Sequence, residues 1–245
     1  MNSLKGSCAV VTGGAHGIGA AIVKRLASEA VTVLVLDLDE ASGASTTVRV
    51  DLANAAALER AADRALSVLG HCEVLINCAG ISESTPLRRA DLARYHHVLA
   101  VNLHAPIYLM KRCAREMVRM GYGRIVNVTS IHGSLSEPGY LAYDVSKAGL
   151  EAATRSVAVE LATGGVVVNA VAPGFVKTRM SVVDGADELE SDWFKQSYVA
   201  GGRLPVGRAA MPEEIAEAVA WLASPANTYV VGQVVKVDGG LSATL

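Results

Sequence analysis

Tyr143 and Lys147 stand four residues apart in a stretch, Tyr140 to Ala162, that reads as one long helix, so their side chains share a face. A free phenol holds its proton up to a pKa of about 10. A lysine ammonium one turn away favours the phenolate, and a bound oxidised nicotinamide would add positive charge to the same effect. Such a pair can take a proton from an alcohol or return one to a ketone. Ser130, at the carboxyl end of the strand-like run Arg124 to Thr129, offers a hydroxyl to the reacting oxygen. What remains of that reaction is a hydride, which a nicotinamide carries. Taken alone, the tyrosine–lysine spacing also suits an ordinary exposed helix.

A second cluster gives the pair something to work on. Cys8 to Val11 is a short apolar run that reads as a buried strand. Gly13, Gly14, Gly17 and Gly19 crowd the turn after it, and Ile18 to Leu26 reads as a helix. Strand, glycine turn and helix start aim backbone N–H groups, backed by the helix dipole, at one spot suited to a phosphate or pyrophosphate. The spacing is G-x-x-x-G-x-G. The next predicted strand, Thr32 to Leu36, ends in Asp37, about 20 residues past Gly17, where a dinucleotide-binding unit places the acid that holds the ribose hydroxyls.

The elements that must position these groups follow in order. Strands are predicted at Thr47 to Val50, Val74 to Ile76, Arg124 to Thr129, Val166 to Ala172 and Val234 to Val237. Helices are predicted at Ala53 to Leu69, Asp91 to Val98, Leu103 to Met120, Tyr140 to Ala162 and from Met211-Pro212 to Ala223. The link between Asp37 and the strand ending before Asp51 is too brief for more than a turn or two of helix. Alternating strands and helices predict a parallel sheet covered on both faces: a doubly wound, three-layer α/β/α architecture of the Rossmann type. Ligands of such sheets lie beyond the carboxyl ends of the strands. The groups predicted there are the glycine loop, Asp37, Asp51, Asn77 to Gly80, Asn102, Ser130 and Pro173 to Thr178.

Composition narrows the class. The 245 residues suit one domain, 1–245, and 51% hydrophobic content suits a large Ala/Val/Leu core. A net charge of −2 gives no nucleic-acid or anionic-membrane signal. The amino end shows no basic-plus-apolar leader and no apolar run spans a bilayer, so a cytoplasmic protein is expected. Cys8, Cys72, Cys78 and Cys113 show no C-x-x-C pair and read as small core residues, with no metal expected.

Thr12-Gly-Gly-Ala-His-Gly-Ile-Gly19, Asn77-Cys-Ala-Gly80, Asn102, Ser130, Tyr143-Asp-Val-Ser-Lys147 and Pro173-Gly-Phe-Val-Lys-Thr178, in that order, resemble the short-chain dehydrogenases/reductases. The resemblance runs over essentially the whole chain. It implies Tyr143 as general acid/base, and Lys147 as the group that lowers the tyrosine pKa and holds the nicotinamide ribose. It implies Ser130 as the group that orients the substrate oxygen, and Asn102 as support for a water behind the lysine. Gly13, His16, Gly17, Ile18 and Gly19 match the phosphate loop, and Asp51 with the Leu52 backbone the adenine contact. Asn77, Ala79 and Gly80 match the adenosine-ribose wall, while Asn77 also steadies the sheet. Pro173, Gly174, Val176 and Thr178 fall on the nicotinamide side, and a homotetramer is implied.

Asp37 matches the acid of the NAD-preferring members. A carboxylate there repels the extra phosphate of NADP. Leu38 follows it and His16 precedes Gly17, so the usual cations for that phosphate are missing. NAD(H) is the expected cofactor. Cys78 replaces the family's second asparagine, and the short link after Asp37 opens the adenine edge. His132 and Glu137 lie near the reacting centre, and His132 is expected, with Ser130 and Tyr143, to touch substrate. His96, His97 and His104 are not spaced as metal ligands. The segment 174–207, which carries Trp193, Phe194 and Tyr198, is expected to close over substrate as a lid. Arg203 and Arg208 could meet an anionic substrate or pair on the surface.

The expected activity is hydride transfer between nicotinamide and a secondary alcohol or ketone. Reduction of 3-oxoacyl thioesters is the alternative, and a non-catalytic NAD-binding sensor or scaffold a further one.

Overall fold

The computed structural model describes residues 4–183 and 185–243. Its chain alternates strands and helices as the apolar runs predict. In order these are β1 (Cys8–Thr12), α1 (Gly17–Ser28), β2 (Thr32–Asp37), β3 (Thr46–Arg49), α2 (Ala55–Leu69), β4 (Val74–Asn77), α3 (Leu92–Leu99), α4 (Ala105–Met120), β5 (Gly123–Val128), α5 (Leu141–Leu161) and β6 (Val166–Pro173). A short hairpin of β7 (Val182–Val183) and β8 (Ala186–Asp187) follows, then α6 (Asp192–Phe194), α7 (Pro212–Ala223) and β9 (Val234–Val237).

Seven strands form one sheet in the order β3-β2-β1-β4-β5-β6-β9, with every pair parallel. The order reverses beside β1, which puts the crevice where a doubly wound sheet binds ligands. The central strands are mostly apolar because both faces are covered. Ile22 and Leu26 of α1 join Ile215 and Val219 of α7 against Val11, Val35 and Ile76 on one face. Leu58, Leu109, Met117 and Leu150 from α2, α4 and α5 cover Leu34, Leu75 and Ile125 on the other. Burying each such Leu or Ile removes apolar area worth about 2–3 kcal/mol. Parallel strands β2 and β3 are joined by residues 38–45 without a helix, as the brief link requires.

One boundary differs from the sequence pattern. The pattern breaks the helix between Val98 and Leu103, but α3 runs into α4 through a wide π-turn, Ala100–His104. Pro106 has no N–H to give the Asn102 carbonyl four residues earlier, so the ladder adapts at that turn. The turn carries Asn102. No helix among the described residues is long and apolar enough to cross a membrane.

Candidate active site

A cleft of about 1400 Å³ opens at the carboxyl ends of the central strands. It collects Gly13, His16, Gly17, Ile18, Gly19, Asp37, Asp51 and Leu52 at one end. Ala79, Gly80, Ser130, His132, Tyr143 and Lys147 line its middle, and Pro173, Gly174, Val176 and Thr178 another wall. Asn77 and Asn102, named with them from the sequence, do not line it.

The glycine end is built for close backbone approach. A Cβ on Gly19 would run into the Gly13 carbonyl oxygen, and one on Gly13 would lie 2.7 Å from Ala79 Cα. Helix α1 starts at Gly17 with no side chain capping it and no acid in its first turn. Its first N–H groups and its dipole therefore face the cleft ready for an anion, which fits a pyrophosphate. The Thr12 hydroxyl accepts from the N–H groups of Cys78 (3.0 Å) and Ala79 (3.1 Å), tying β1 to the loop after β4.

The acid at the end of β2 is held by backbone. Asp37 accepts from the Ala15 N–H at 2.9 Å and the Asp39 N–H at 3.1 Å. Asp39 in turn meets His16 Nε2 at 2.9 Å and also lines the cleft. The sequence reading missed Asp39, although the Asp37-Leu38-Asp39 alternation puts both acids on one side of an extended chain. Asp51 accepts from the Ala53 N–H at 2.9 Å and so caps the turn before α2.

At the reacting end, α5 presents Tyr143 and Lys147 on one face. Lys147 Nζ sits 5.5 Å from the centre of the Tyr143 ring and donates to the Val128 carbonyl at 3.0 Å. A Cβ on Gly80 would approach that Nζ to 3.3 Å, so the loop after β4 must be bare there. The Ser130 hydroxyl accepts from the His132 N–H at 3.2 Å. Burial pushes the Tyr143 phenol above its usual range, Asp144 and Tyr140 add to that, and only the neighbouring Ser130 hydroxyl opposes it. The same burial pulls the Lys147 ammonium down to about 8. The sequence predicts a phenol lowered by its lysine. In the cleft formed by the protein alone both groups are instead shifted toward their neutral forms, because burial takes the charge of each out of water.

The two asparagines work beneath the cleft. Asn102 Nδ2 donates to the Ile81 carbonyl at 2.8 Å and to the Ser146 hydroxyl at 3.1 Å, while its Oδ1 accepts from the Ile81 N–H at 2.9 Å. It braces the loop after β4 against α5. Asn77 Nδ2 donates to Asn127 Oδ1 at 2.8 Å, and Asn127 donates to Thr154 at 2.9 Å. Asn77 thus steadies the sheet, and its amide is turned into the core rather than toward a ribose. Its Oδ1 is a buried acceptor with no partner among the described residues.

A family model described as enoyl-(acyl carrier protein) reductase matches residues 13–242. The chain belongs to the short-chain dehydrogenase/reductase family. It is therefore an oxidoreductase. It is 38% identical to cis-4-hydroxycyclohexanecarboxylate dehydrogenase of Sinomonas cyclohexanicum over 96% of both chains. It is 33% identical to a 3-oxoacyl-(acyl-carrier-protein) reductase of Aquifex aeolicus, over 97% of this chain and 98% of that one. Among solved structures it resembles a Beutenbergia cavernae protein assigned as an NAD(P)-dependent gluconate 5-dehydrogenase and holding NADP at low occupancy. That match has a TM-score of 0.89 and 35% identity over 99% of each chain.

The far wall of the cleft carries further charged and aromatic side chains. His132 Nδ1 meets Asp144 Oδ1 at 2.6 Å, and its ring stands edge-on to Tyr143 with centres 5.4 Å apart. His132 Nε2 lies 4.0 Å from Glu137 Oε2, and the Tyr198 hydroxyl donates to Glu137 Oε1 at 3.1 Å. The arginines expected as alternatives part company. Arg208 makes a two-pronged pair with Glu214 at 2.7 and 2.8 Å, whereas Arg203 lies over the Tyr198 ring at 4.9 Å. Among the described residues, one group of metal-type ligands, Cys8, His71 and Glu73, comes within 4.8 Å at the amino ends of β1 and β4, away from the cleft. Glu73 is already engaged there by the Cys8 N–H at 2.7 Å and by His71 at 3.1 Å.

Proposed function

We propose that this protein is an NAD(H)-dependent alcohol dehydrogenase or carbonyl reductase acting on a secondary alcohol or ketone. The observation that carries it is the convergence of Ser130, Tyr143 and Lys147 on one cleft whose other end is an uncapped, glycine-lined helix start. When bound, the nicotinamide supplies hydride chemistry. The residues do the rest. Ser130 holds the substrate oxygen by its hydroxyl. Tyr143 gives its proton to a ketone oxygen or takes one from an alcohol. Lys147 holds the nicotinamide ribose and places positive charge below the phenol. Asn102 acts behind them by fixing the loop that bears Gly80 and Ile81. His132, held by Asp144, orients the substrate.

Two acids support NAD(H) over NADP(H). Asp37 is fixed by two backbone N–H groups, Asp39 occupies the nearby His16, and Arg49, beside Asp37 on β3, is turned to the Leu38 carbonyl at 2.8 Å. A 2′-phosphate would face both carboxylates. The relative with NADP shows that the wider family accepts the phosphorylated cofactor, so the preference rests on these side chains.

The segment 174–207 supports a lid. It leaves and returns across a narrow neck, where Lys177 N–H donates to the Ala210 carbonyl at 2.9 Å and Ala210 N–H to the Phe175 carbonyl at 2.8 Å. Beyond the neck, Leu189, Phe194, Tyr198 and Leu204 form their own small core. Exposed Ile107 and Val118 on α4 and Val145 and Val159 on α5 favour assembly through those helices into a tetramer. Reduction of 3-oxoacyl thioesters is the second reading, favoured by the Aquifex aeolicus relative.

The test is a paired assay with NAD(H) and NADP(H) over secondary alcohols, sugar acids, 4-hydroxycyclohexanecarboxylate and 3-oxoacyl thioesters. Turnover of an alcohol–ketone pair with NAD(H) is expected. Tight NADH binding without turnover of any of them would favour a sensor instead.

A further inference from the structure

The substrate end of the cleft carries a positive charge that no neighbour answers. Arg203 and Arg179 line the cleft and make no ion pair among the described residues, while Arg208, Lys177 and Lys195 are paired with Glu214 and Glu190, and of the two only Arg203 is seated on an aromatic ring. Its guanidinium is seated, with its carbon 4.9 Å from the centre of the Tyr198 ring. That ring is 4% exposed, meets Phe175 at 4.7 Å and Trp193 at 5.2 Å, and is anchored by its hydroxyl on Glu137. A guanidinium seated over an aromatic face keeps N–H groups available to grip a planar anion.

Two carboxylates share this end of the cleft, Glu137 and Glu188. Glu137 is turned toward the Tyr198 hydroxyl and His132, and neither acid comes within ion-pair distance of Arg203. Leu135, Leu189, Trp193 and Phe194 add apolar side chains to the lining of the same cleft, beside His132 and Tyr140. A ligand that fits has a hydroxyl or ketone at Ser130 and Tyr143, an apolar body, and a carboxylate on Arg203.

We infer that Arg203 is the specificity-determining residue for a carboxylate on the substrate, and that the substrate class is hydroxy acids and oxo acids with an apolar body. The inference rests on the reaction proposed above and narrows it. Arg203 acts by charge-assisted hydrogen bonds to both carboxylate oxygens, far from the reacting carbon, so it governs KM rather than kcat.

The experiment compares 4-hydroxycyclohexanecarboxylate, its methyl ester and cyclohexanol as substrates for the full-length enzyme with NAD+. It adds the melting-temperature shift that each compound causes in the presence of NADH. The acid is expected to have the highest kcat/KM and the largest shift. Arg203→Met is expected to lower the acid-to-ester ratio of kcat/KM about tenfold through KM, with Arg203→Lys recovering part of it. The inference is overturned if the wild type handles ester and acid alike, if the acid neither reacts nor shifts melting, or if Arg203→Met leaves the ratio intact. Cyclohexanol turnover without any preference for the acid would sink this inference and leave the proposed reaction standing. Loss of the proposed reaction itself would show as no Tyr143-dependent turnover of any of the three.

Discussion

Lys147 Nζ lies 5.5 Å from the centre of the Tyr143 ring, and its one hydrogen bond to protein goes to the Val128 carbonyl at the end of β5. The ammonium is therefore a nearly unpartnered buried charge, 3% exposed, placed directly below a phenol. Both groups carry a cost. Burial raises the phenol and lowers the ammonium to about 8. A fold that wanted only stability would put apolar side chains here.

The pair sets a pH dependence of stability. Lys147 has a folded pKa of about 8 against an ordinary value of 10.5. Between those values the unfolded chain binds the extra proton, so stability rises with pH there. That contribution is fully present above 10.5 and lost as pH falls through 8. Lys147→Met should melt higher than the wild type at pH 7 without nucleotide, by up to about 3 kcal/mol, while losing turnover. Thermal melts of both proteins across pH 7 to 10 check this, and a lower melting temperature for the variant would contradict it.

The raised phenol gives the two reaction directions opposite pH responses. At neutral pH Tyr143 holds its proton, which suits donation to a ketone. Alcohol oxidation needs the phenolate, so its kcat should climb with pH above neutrality, while ketone reduction should not. Initial rates in both directions on one alcohol–ketone pair decide the point; a flat oxidation profile would contradict it.

Asp37→Ala should relax the cofactor preference, raising the NADPH-to-NADH ratio of kcat/KM at least about tenfold. Asp37 also holds the Ala15 and Asp39 N–H groups, so Asp37→Asn, which keeps an acceptor, separates charge from loop bracing. Steady-state kinetics with both cofactors measure it. An unchanged ratio in both variants would remove the electrostatic basis of the NAD assignment.

Gly19→Ala should abolish nucleotide binding, since a methyl group there meets the Gly13 carbonyl and forces the loop out of register. Titration of NADH fluorescence reads this directly. Circular dichroism separates loss of binding from loss of fold.

The sequence carries the reacting residues plainly because helical spacing alone puts Tyr143 and Lys147 on one face, and strand–glycine–helix order alone exposes the start of α1. The sheet is legible for the same reason, since a doubly covered parallel strand is an uninterrupted apolar run. Other features depend on packing that local pattern does not encode. The π-turn at Asn102 follows from the missing Pro106 donor and joins two helices that the apolar pattern separates. The pairing of Asp39 with His16 joins two loops distant in sequence. The burial that raises Tyr143 is a property of the assembled cleft, and spacing alone suggests the opposite shift. The division of labour between Arg203 and Arg208 is likewise set by which one Glu214 reaches.

The account stands on Tyr143 as the group that moves the proton. The most direct measurement is kcat of Tyr143→Phe on whichever alcohol the wild type oxidises, with NADH binding followed in parallel by fluorescence. The expected result is a loss of about 10²–10⁴ in kcat with NADH still bound, because only the hydroxyl is removed from a ring that keeps its packing. Turnover within about twofold of the wild type would contradict it.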